Sequence, residues 1–212
     1  ILREKAYASL IGRRKAGKTF LAMYAALCLA EGKDWLGRRV KPEGCRVLYL
    51  NYEISDEKFV ERLQDITRAM GITPSDNFMY QTTRKKRIPI DVDIRAMQEI
   101  LEACPQMPRV VFLDPRYGFM IGDENKEQDM ANFVDGIQQL QELYNLAIVV
   151  VAHMGKDSER GARGHSLFED GADTLLFLNV VTGKSYTREL EMIGRDIEDA
   201  TLGLNFSYPL FQ

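Results

Sequence analysis

The sequence contains few cysteines, few histidines and no long apolar run. Its three cysteines, Cys28, Cys45 and Cys104, are scattered without a CxxC pair, which favours reduced thiols in a cytoplasmic setting over a disulfide framework. No apolar segment approaches the roughly 20 residues that a membrane-spanning helix needs, and no signal peptide is apparent. A formal net charge of -3 argues against a basic coat over the whole surface but leaves room for local basic loops.

The length of the chain limits the number of domains. With 212 residues, of which 45% are hydrophobic, the chain can build one sizeable core but not two ordinary enzyme domains. It begins with Ile1 rather than Met. We therefore expect a single domain over residues 1–212 that has been trimmed from a longer chain.

Short apolar runs alternate with helical patterns along the chain. Because these runs are apolar almost throughout, rather than at every second position, they predict strands of a sheet that is covered on both faces. The predicted strands are Ala6–Ile11, Arg46–Asn51, Arg109–Asp114, Leu146–Ala152 and Asp173–Asn179.

Amphipathic stripes between these runs predict helices. In the stripe over residues 55–71, Ser55 suits the N-cap position and Gly71 suits the C-terminal stop; two further stripes cover 94–105 and 130–144. Towards the C-terminus, the shorter alternating segments RELEMIG and TLGLNFS predict antiparallel strands at one edge. The alternation of strands and helices predicts an α/β fold with a mainly parallel sheet covered by helices on both faces.

The first predicted strand ends in GRRKAGKT and is followed by the apolar helix FLAMYAALCLA. This is the pattern GxxxxGK[ST] in a strand–loop–helix setting, where backbone N–H groups and the helix N-terminus converge on phosphates. We expect Lys18 to reach the β- and γ-phosphates of ATP and the Thr19 hydroxyl to bind Mg²⁺. The predicted ATP-binding residues are Gly12, Arg13, Arg14, Lys15, Ala16, Gly17, Lys18, Thr19 and Phe20.

Two carboxylates stand at the ends of predicted strands. Asp114 ends VVFLD, which is the position for a carboxylate that holds Mg²⁺ through water; the alternative is an aspartate that caps the turn before Pro115. Many nucleotide-hydrolysing proteins place a base directly after such an aspartate, but Pro115 occupies that place. Glu53, just beyond the second strand, is the remaining candidate base; its alternative is a carboxylate near the start of the following helix.

A histidine and a charged loop follow the fourth predicted strand. His153 could sense the γ-phosphate, or it could be a core histidine that bonds the backbone. The segment GKDSERGARGHS is either a nucleic-acid contact, through Lys156, Arg160 and Arg163, or a solvated mobile loop at a subunit interface. Its three cations are offset by two acids.

Taken together, these motifs resemble those of the RecA superfamily. Within it, LDPRYGFMIGDENKEQDM, VVVAHMGKDSERGARGHSLFEDGADTLLFL and IGRDIEDATLGLNF are most similar to the RepA-like branch of hexameric replicative helicases. The resemblance extends from about Ala6 to Phe206. It implies a RecA-like P-loop core, ATP and Mg²⁺ as ligands, single-stranded DNA as a partner and assembly into a ring, most typically a hexamer.

The resemblance also implies roles for individual residues. Lys18 and Thr19 match the phosphate and Mg²⁺ ligands, and Asp114 matches the carboxylate that holds the metal through water. Glu53 matches the catalytic glutamate. His153 matches the γ-phosphate sensor that precedes the second nucleic-acid loop.

Three arginines complete this interpretation. Arg195 matches the arginine finger that family members insert into the neighbouring subunit's site, where it stabilises charge on the transferred phosphoryl group; by itself it would be a surface arginine beside Asp196. Arg13 and Arg14 depart from the family pattern, in which smaller residues or Pro are common. They contact either phosphate or a neighbouring subunit.

Three classes of function fit the sequence. The first is a ring ATPase coupled to single-stranded DNA, such as a helicase. The second is a RecA-like ATPase that serves regulation or recombination without unwinding. The third is a small-molecule kinase or a nucleotide-binding module, although no inserted lid segment for a kinase acceptor is visible.

Overall fold

The computed structural model describes residues 3–83, 86–154, 171–195 and 197–212. Strands and helices alternate through the first three quarters of the chain, and strands follow one another after that. The elements are β1 (Tyr7–Gly12), α1 (Lys18–Ala30), β2 (Val47–Asn51), α2 (Asp56–Met70), β3 (Phe78–Thr82), α3 (Arg95–Glu102), β4 (Val110–Asp114), a 3-10 turn (Arg116–Gly118), α4 (Glu127–Tyr144), β5 (Ala147–His153), β6 (Thr174–Val180), β7 (Arg188–Gly194), β8 (Ala200–Leu204), β9 (Phe206–Ser207) and β10 (Leu210–Phe211).

Eight of the strands form one sheet in the order β3-β2-β4-β5-β1-β6-β7-β8, and β9 pairs with β10. The pairs from β3 to β6 in this order are parallel, whereas β7 and β8 join the edge in antiparallel fashion. The predicted α/β fold, with a mainly parallel sheet and antiparallel strands at its C-terminal edge, is confirmed.

Helices cover both faces of this sheet. In β1, Ala8 and Leu10 face a core shared with α1 and α2, while Tyr7 and Ile11 face a core shared with α3 and α4. All six residues of β1 are buried. Burial on both faces explains why the central strands are apolar at nearly every position.

The ends of α2 follow the predicted capping residues. The Ser55 hydroxyl accepts a hydrogen bond from the Lys58 amide, and Asp56 lies in the first turn, where it favours the positive end of the helix dipole. The helix ends at Gly71, which has a φ of 64°. A residue with a side chain rarely adopts this conformation.

Two elements differ from the predicted ones. Strand β3 lies outside the five predicted strands because it is an edge strand: Phe78 is buried but Tyr80 is 38% exposed, so no continuous apolar run marks it. TLGLNFS forms β8 and β9 rather than one strand, and Asn205 between them exchanges two backbone hydrogen bonds with Gln212. Among the described residues, no helix is long and apolar enough to cross a membrane.

The packing of α4 generates a testable prediction about stability. A Cβ added at Gly136 would lie 2.2 Å from the carbonyl oxygen of Ile90, whose segment is fixed by the hydrogen bond from the Ile90 amide to the Phe119 carbonyl. We therefore expect Gly136→Ala to lower the free energy of unfolding by about 1–3 kcal/mol, although alanine favours helix more than glycine does. Gln138→Ala, at an exposed position of the same helix, is the control for urea denaturation. Equal or higher stability of Gly136→Ala would contradict this close packing.

Candidate functional site

The carboxyl ends of four neighbouring parallel strands bring polar groups to one edge of the sheet. Asn51 at the end of β2 is paired with Asp114 at the end of β4. Gly12 at the end of β1 is paired with His153 at the end of β5. Since the strand order is β2-β4-β5-β1, the segments that follow these strands lie side by side, where ligands of open α/β sheets bind.

The loop between β1 and α1 has the conformation of a phosphate cradle. Gly12 approaches the neighbouring strand so closely that a Cβ would lie 2.6 Å from the carbonyl oxygen of Leu178. Gly17 has a φ of 103°, and Lys15 has a φ of 64°, so the backbone reverses sharply before α1 begins. The backbone N–H groups at this N-terminus can therefore point at an anion.

Lys18 is the buried cation of this loop. Its side chain is 6% exposed, and its Nζ donates to the carbonyl oxygens of Gly12 at 2.8 Å and Arg13 at 3.0 Å. Burial lowers the pKa of Lys18, while the Asp114 and Glu53 carboxylates act in the opposite direction. The ammonium group is thus bonded to two carbonyl oxygens of the loop and lies within electrostatic reach of two carboxylates.

Asp114 is a buried carboxylate beside the cradle. Burial raises the pKa of Asp114 to about 6, although the hydroxyl groups of Tyr49 and Thr19 oppose the shift. The Tyr49 hydroxyl donates to Oδ2 of Asp114 at 2.6 Å, and the Tyr49 ring stacks on Phe112 with centroids 5.5 Å apart. Tyr49 therefore fixes Asp114, which is a role that the sequence did not reveal.

The donor groups of Thr19 and Asp114 fit the chemistry of a hard divalent cation. Oδ1 of Asp114 is buried and has no hydrogen-bond partner within the described residues, although the Thr19 hydroxyl lies near enough to lower the pKa of the carboxyl. Mg²⁺ is typically held by one or two protein oxygens together with phosphate oxygens and water. Thr19 and Asp114 would hold such an ion, which would supply positive charge for the phosphate oxygens.

Glu53 lies two residues beyond the end of β2, in a turn held by Asn51. Asn51 is 1% exposed; its Nδ2 donates to the carbonyl oxygen of Ile54 at 2.7 Å, and its Oδ1 accepts from the Ile54 amide at 3.2 Å. The charge of Glu53 acts on the titration of Lys18 and Asp114. Asn51 therefore clamps the turn that carries the candidate base, and an asparagine at a strand end is the local signal for such a turn.

His153 contacts the cradle directly. Its Nδ1 lies 3.1 Å from Nζ of Lys18, and because a lysine ammonium can only donate, Nδ1 must accept, which leaves the ring proton on Nε2. Burial and then the charge of Lys18 lower the pKa of His153, while Glu53 and Glu124 act in the opposite direction. This histidine therefore bonds a site residue rather than the backbone.

Arg195 lies near the amino ends of the parallel strands, whereas the cradle of its own chain lies at their carboxyl ends. It follows Gly194, which is paired with Thr174, and Thr174 is four residues before Leu178, the partner of Gly12. This separation is roughly 13 Å along the strands. Arg195 is exposed and has its Nη1 3.8 Å from Oδ1 of Asp173, so it is not part of the site in its own chain.

Several predicted site residues stand apart from this cluster or outside the description. Arg13, Arg14 and Lys15 are exposed on the loop, and the charge of Arg14 lowers the pKa of both Lys18 and His153. The predicted nucleic-acid residues lie outside the described residues; they are Lys156, Arg160 and Arg163.

The C-terminal strands support the cradle from behind, which the sequence did not indicate. Nε of Arg188, at the start of β7, donates to the carbonyl oxygen of Ala16 at 2.9 Å. A Cβ at Gly17 would lie 2.8 Å from the ring of Phe211 in β10. Phe20 packs against Phe206 with centroids 5.4 Å apart. These contacts join residues far apart in sequence, so no local pattern marks them.

Comparisons with known proteins agree with this geometry. A family model described as an AAA domain matches residues 1–159, and no curated protein matches the chain. Among solved structures 626 chains match, so the fold is widespread and does not by itself select an activity. One of them is a DnaB-like replicative helicase, described with its interactions with primase: the TM-score is 0.69 at 12% identity, over 98% of this chain and 56% of that one. The present chain therefore spans little more than half the length of that helicase.

The Asn51 clamp predicts a local change in dynamics. Asn51→Ala removes both hydrogen bonds to Ile54, so we expect faster hydrogen exchange of the Ile54 amide and a loss of about 1–3 kcal/mol in unfolding free energy. Asn77→Ala is the matched control, because the Asn77 side chain also donates to a backbone carbonyl, that of Ala30, away from the site. Unchanged exchange at Ile54 would show that Asn51 does not hold the Glu53 turn.

Proposed function

The chain belongs to the AAA domain family and is a P-loop ATPase with a RecA-like fold, and from this premise we propose that it hydrolyses ATP with Mg²⁺ in a cytoplasmic ring that acts on single-stranded DNA. The observation that carries the proposal is the convergence of Lys18, Asp114, Glu53 and His153 at one edge of the sheet. Each of the four lies within electrostatic reach of at least two others.

The proposed chemistry is in-line attack of water on the γ-phosphate. Glu53 orients the water and accepts its proton, since it is the exposed carboxylate beside the cradle whereas Asp114 is buried. Lys18 turns its ammonium group towards the β- and γ-phosphates and stabilises the charge that develops there. Asn51 keeps Glu53 in place during this step.

His153 is the proposed link between the nucleotide and the rest of the ring. Because Nδ1 of His153 is hydrogen-bonded to Lys18, a γ-phosphate would compete with it for the same ammonium group. The charge of Glu124 also reaches its ring, and Glu124 forms an ion pair with Arg116 directly after β4. Gain and loss of the γ-phosphate would thus alter hydrogen bonds at His153, where the segment with the predicted nucleic-acid residues begins.

Assembly of several chains would complete the site. Arg195 lies near the amino ends of the parallel strands and the cradle lies at their carboxyl ends. Arg195 could therefore serve only the cradle of a neighbouring copy. A hexameric ring places every cradle against a neighbour, and six copies of the segment 155–166 would then surround a central channel. The proposal that Lys156, Arg160 and Arg163 contact DNA there rests on the resemblance to RepA-like helicases.

A regulatory or recombination-associated ATPase that does not unwind DNA is the second candidate. It uses the same site, and the fold shared with the DnaB-like helicase at 12% identity does not select between the two activities. A small-molecule kinase or nucleotide-binding module is the third candidate. The response of hydrolysis to DNA separates the first two candidates.

The proposed function predicts how hydrolysis responds to DNA and to the loss of Glu53. Mg²⁺-dependent ATP hydrolysis at low salt should rise several-fold with single-stranded DNA, and Lys18→Ala serves as the blank. Glu53→Gln should keep ATP binding but lower turnover by about 10²–10⁴-fold, because general base catalysis contributes on this order. Phosphate release and equilibrium nucleotide binding are the two measurements.

The outcomes of this experiment are distinct. Hydrolysis that is indifferent to DNA would favour the regulatory ATPase over the motor. Unchanged turnover in Glu53→Gln would remove Glu53 from the role of base. ATP binding without hydrolysis in the unsubstituted chain would favour the nucleotide-binding module.

The proposed function also predicts that Arg195 acts in a neighbouring site. Arg195→Ala should lower turnover by about 10³-fold or more, as arginine fingers typically do, without weakening ATP binding in its own cradle. Mixing Arg195→Ala chains with inactive Lys18→Ala chains should restore part of the activity, because each mixed interface can combine an intact cradle with an intact Arg195. The matched control is Arg68→Ala, another exposed arginine paired with an aspartate. Failure of the mixture to regain activity, with assembly verified by sedimentation, would exclude action between subunits.

A further inference from the structure

A second cavity, separate from the phosphate cradle, lies near the amino ends of the parallel strands. It has a volume of about 600 Å³ and enters between α1 and the sheet. Its inner walls are apolar and come from α1 and four parallel strands; among them are Leu21, Ala25, Leu29, Leu10, Val149 and Leu176. Small-molecule sites typically have volumes of roughly 300–1,000 Å³ and mainly apolar walls.

Cations are concentrated at the opening of this cavity. Six basic side chains and two carboxylates line it, on a chain whose formal net charge is -3. Arg46 donates to the carbonyl oxygen of Met107, and Arg109 pairs with Glu4. The other four basic residues, Arg3, Arg38, Arg39 and Lys41, are exposed.

Arg38, Arg39 and Lys41 make no side-chain hydrogen bond or ion pair with the residues that the structure describes, and all three are exposed. Arg38 and Arg39 also line a smaller cavity beside Met192 of β7. Cations that are left without carboxylate partners at the mouth of an apolar cavity favour an anionic group at that position.

A tight turn holds Trp35 and Arg38 together at this opening. Their backbones exchange two hydrogen bonds of 2.9 and 2.8 Å, and the two residues between them, Leu36 and Gly37, have φ values of 49° and 74°, as a type I′ turn requires. Trp35 is 7% exposed, and its indole Nε1 is buried without an acceptor among the described residues. A buried donor that lacks an acceptor costs free energy, so it is a second, independent indication of a ligand.

We propose that this cavity binds a small amphipathic anion. The apolar body of the ligand lies between α1 and the sheet, and its carboxylate or phosphate head contacts Arg38, Arg39 and Lys41. The walls of the cavity extend inwards to mid-strand residues such as Leu10 and Val149. The cavity is therefore deep enough to enclose the apolar body of a small ligand. The site is separate from the proposed hydrolysis of ATP and does not depend on it.

The single tryptophan of the chain makes the proposal directly testable, since Trp35 lines the cavity. With the full 212-residue chain, ω-bromoundecanoate should quench Trp35 emission to saturation, because bromine quenches only on close approach. Undecanoate and undecyl phosphate should displace it. Undecanol, which has the same apolar body without charge, should compete about tenfold more weakly.

Two variants locate the ligand. Arg38→Ala/Arg39→Ala should weaken undecanoate binding about tenfold, to the level of undecanol, and Ala25→Leu should reduce binding of all the probes by filling the apolar wall. Lys33→Ala/Lys58→Ala removes the same charge from exposed positions outside the cavity and should change nothing. Urea denaturation, measured in parallel, reports that each variant is folded.

Two results would overturn the proposal. Quenching that rises in proportion to probe concentration without saturation would show that Trp35 faces no binding site. Equal competition by undecanol and undecanoate, with no effect of Arg38→Ala/Arg39→Ala, would show that the cations take no part and that only apolar association occurs.

Discussion

The ammonium group of Lys18 is a cation with almost no access to water, and the arrangement of the whole carboxyl edge depends on it. Burying an unpaired charge is very unfavourable, so its three hydrogen-bond partners are all acceptors: two carbonyl oxygens of the loop and Nδ1 of His153. Asp114 is a buried group of the opposite charge, and burial raises its pKa to about 6. Under the proposed function, a phosphate group and a divalent cation would satisfy both groups at once.

The sequence predicted the parts of this edge whose signals are local. GRRKAGKT identified the cradle, and the apolar runs located four of the strands that carry the polar ends. It did not predict Tyr49, Asn51 or Arg188, for different reasons. Tyr49 and Arg188 act on residues 65 and 172 positions away, which only the sheet pairing brings together. Asn51 acts on its own turn, where a short-range asparagine signal was present but did not distinguish a functional turn from an ordinary one.

The antiparallel strand β7 contacts the cradle at only one of its ends. Strand β7 runs antiparallel to β6. Its first residue, Arg188, therefore contacts the cradle, whereas Arg195, directly after its last residue, lies near the amino ends of the parallel strands. One strand therefore has an arginine at each of its two ends. Under the proposed function this geometry separates their roles: Arg188 supports the loop of its own chain, and Arg195 is available only to a neighbour. If Arg195 acts as proposed, the reversal of this single strand is what makes the site one that two chains share.

Helix α1 connects the phosphate cradle with the second cavity. It begins at Lys18 in the cradle, and residues along the rest of its length, such as Ala25 and Leu29, form the cavity wall. Eight of its thirteen residues are buried, so close packing makes it move as a rigid body rather than bend. Any displacement caused by a ligand in the cavity would therefore reach the cradle, and by linkage the nucleotide would change the affinity of that ligand by the same factor. If the two affinities prove independent, the sheet holds α1 in one position whichever ligand is bound, and the two edges act as separate sites on one scaffold.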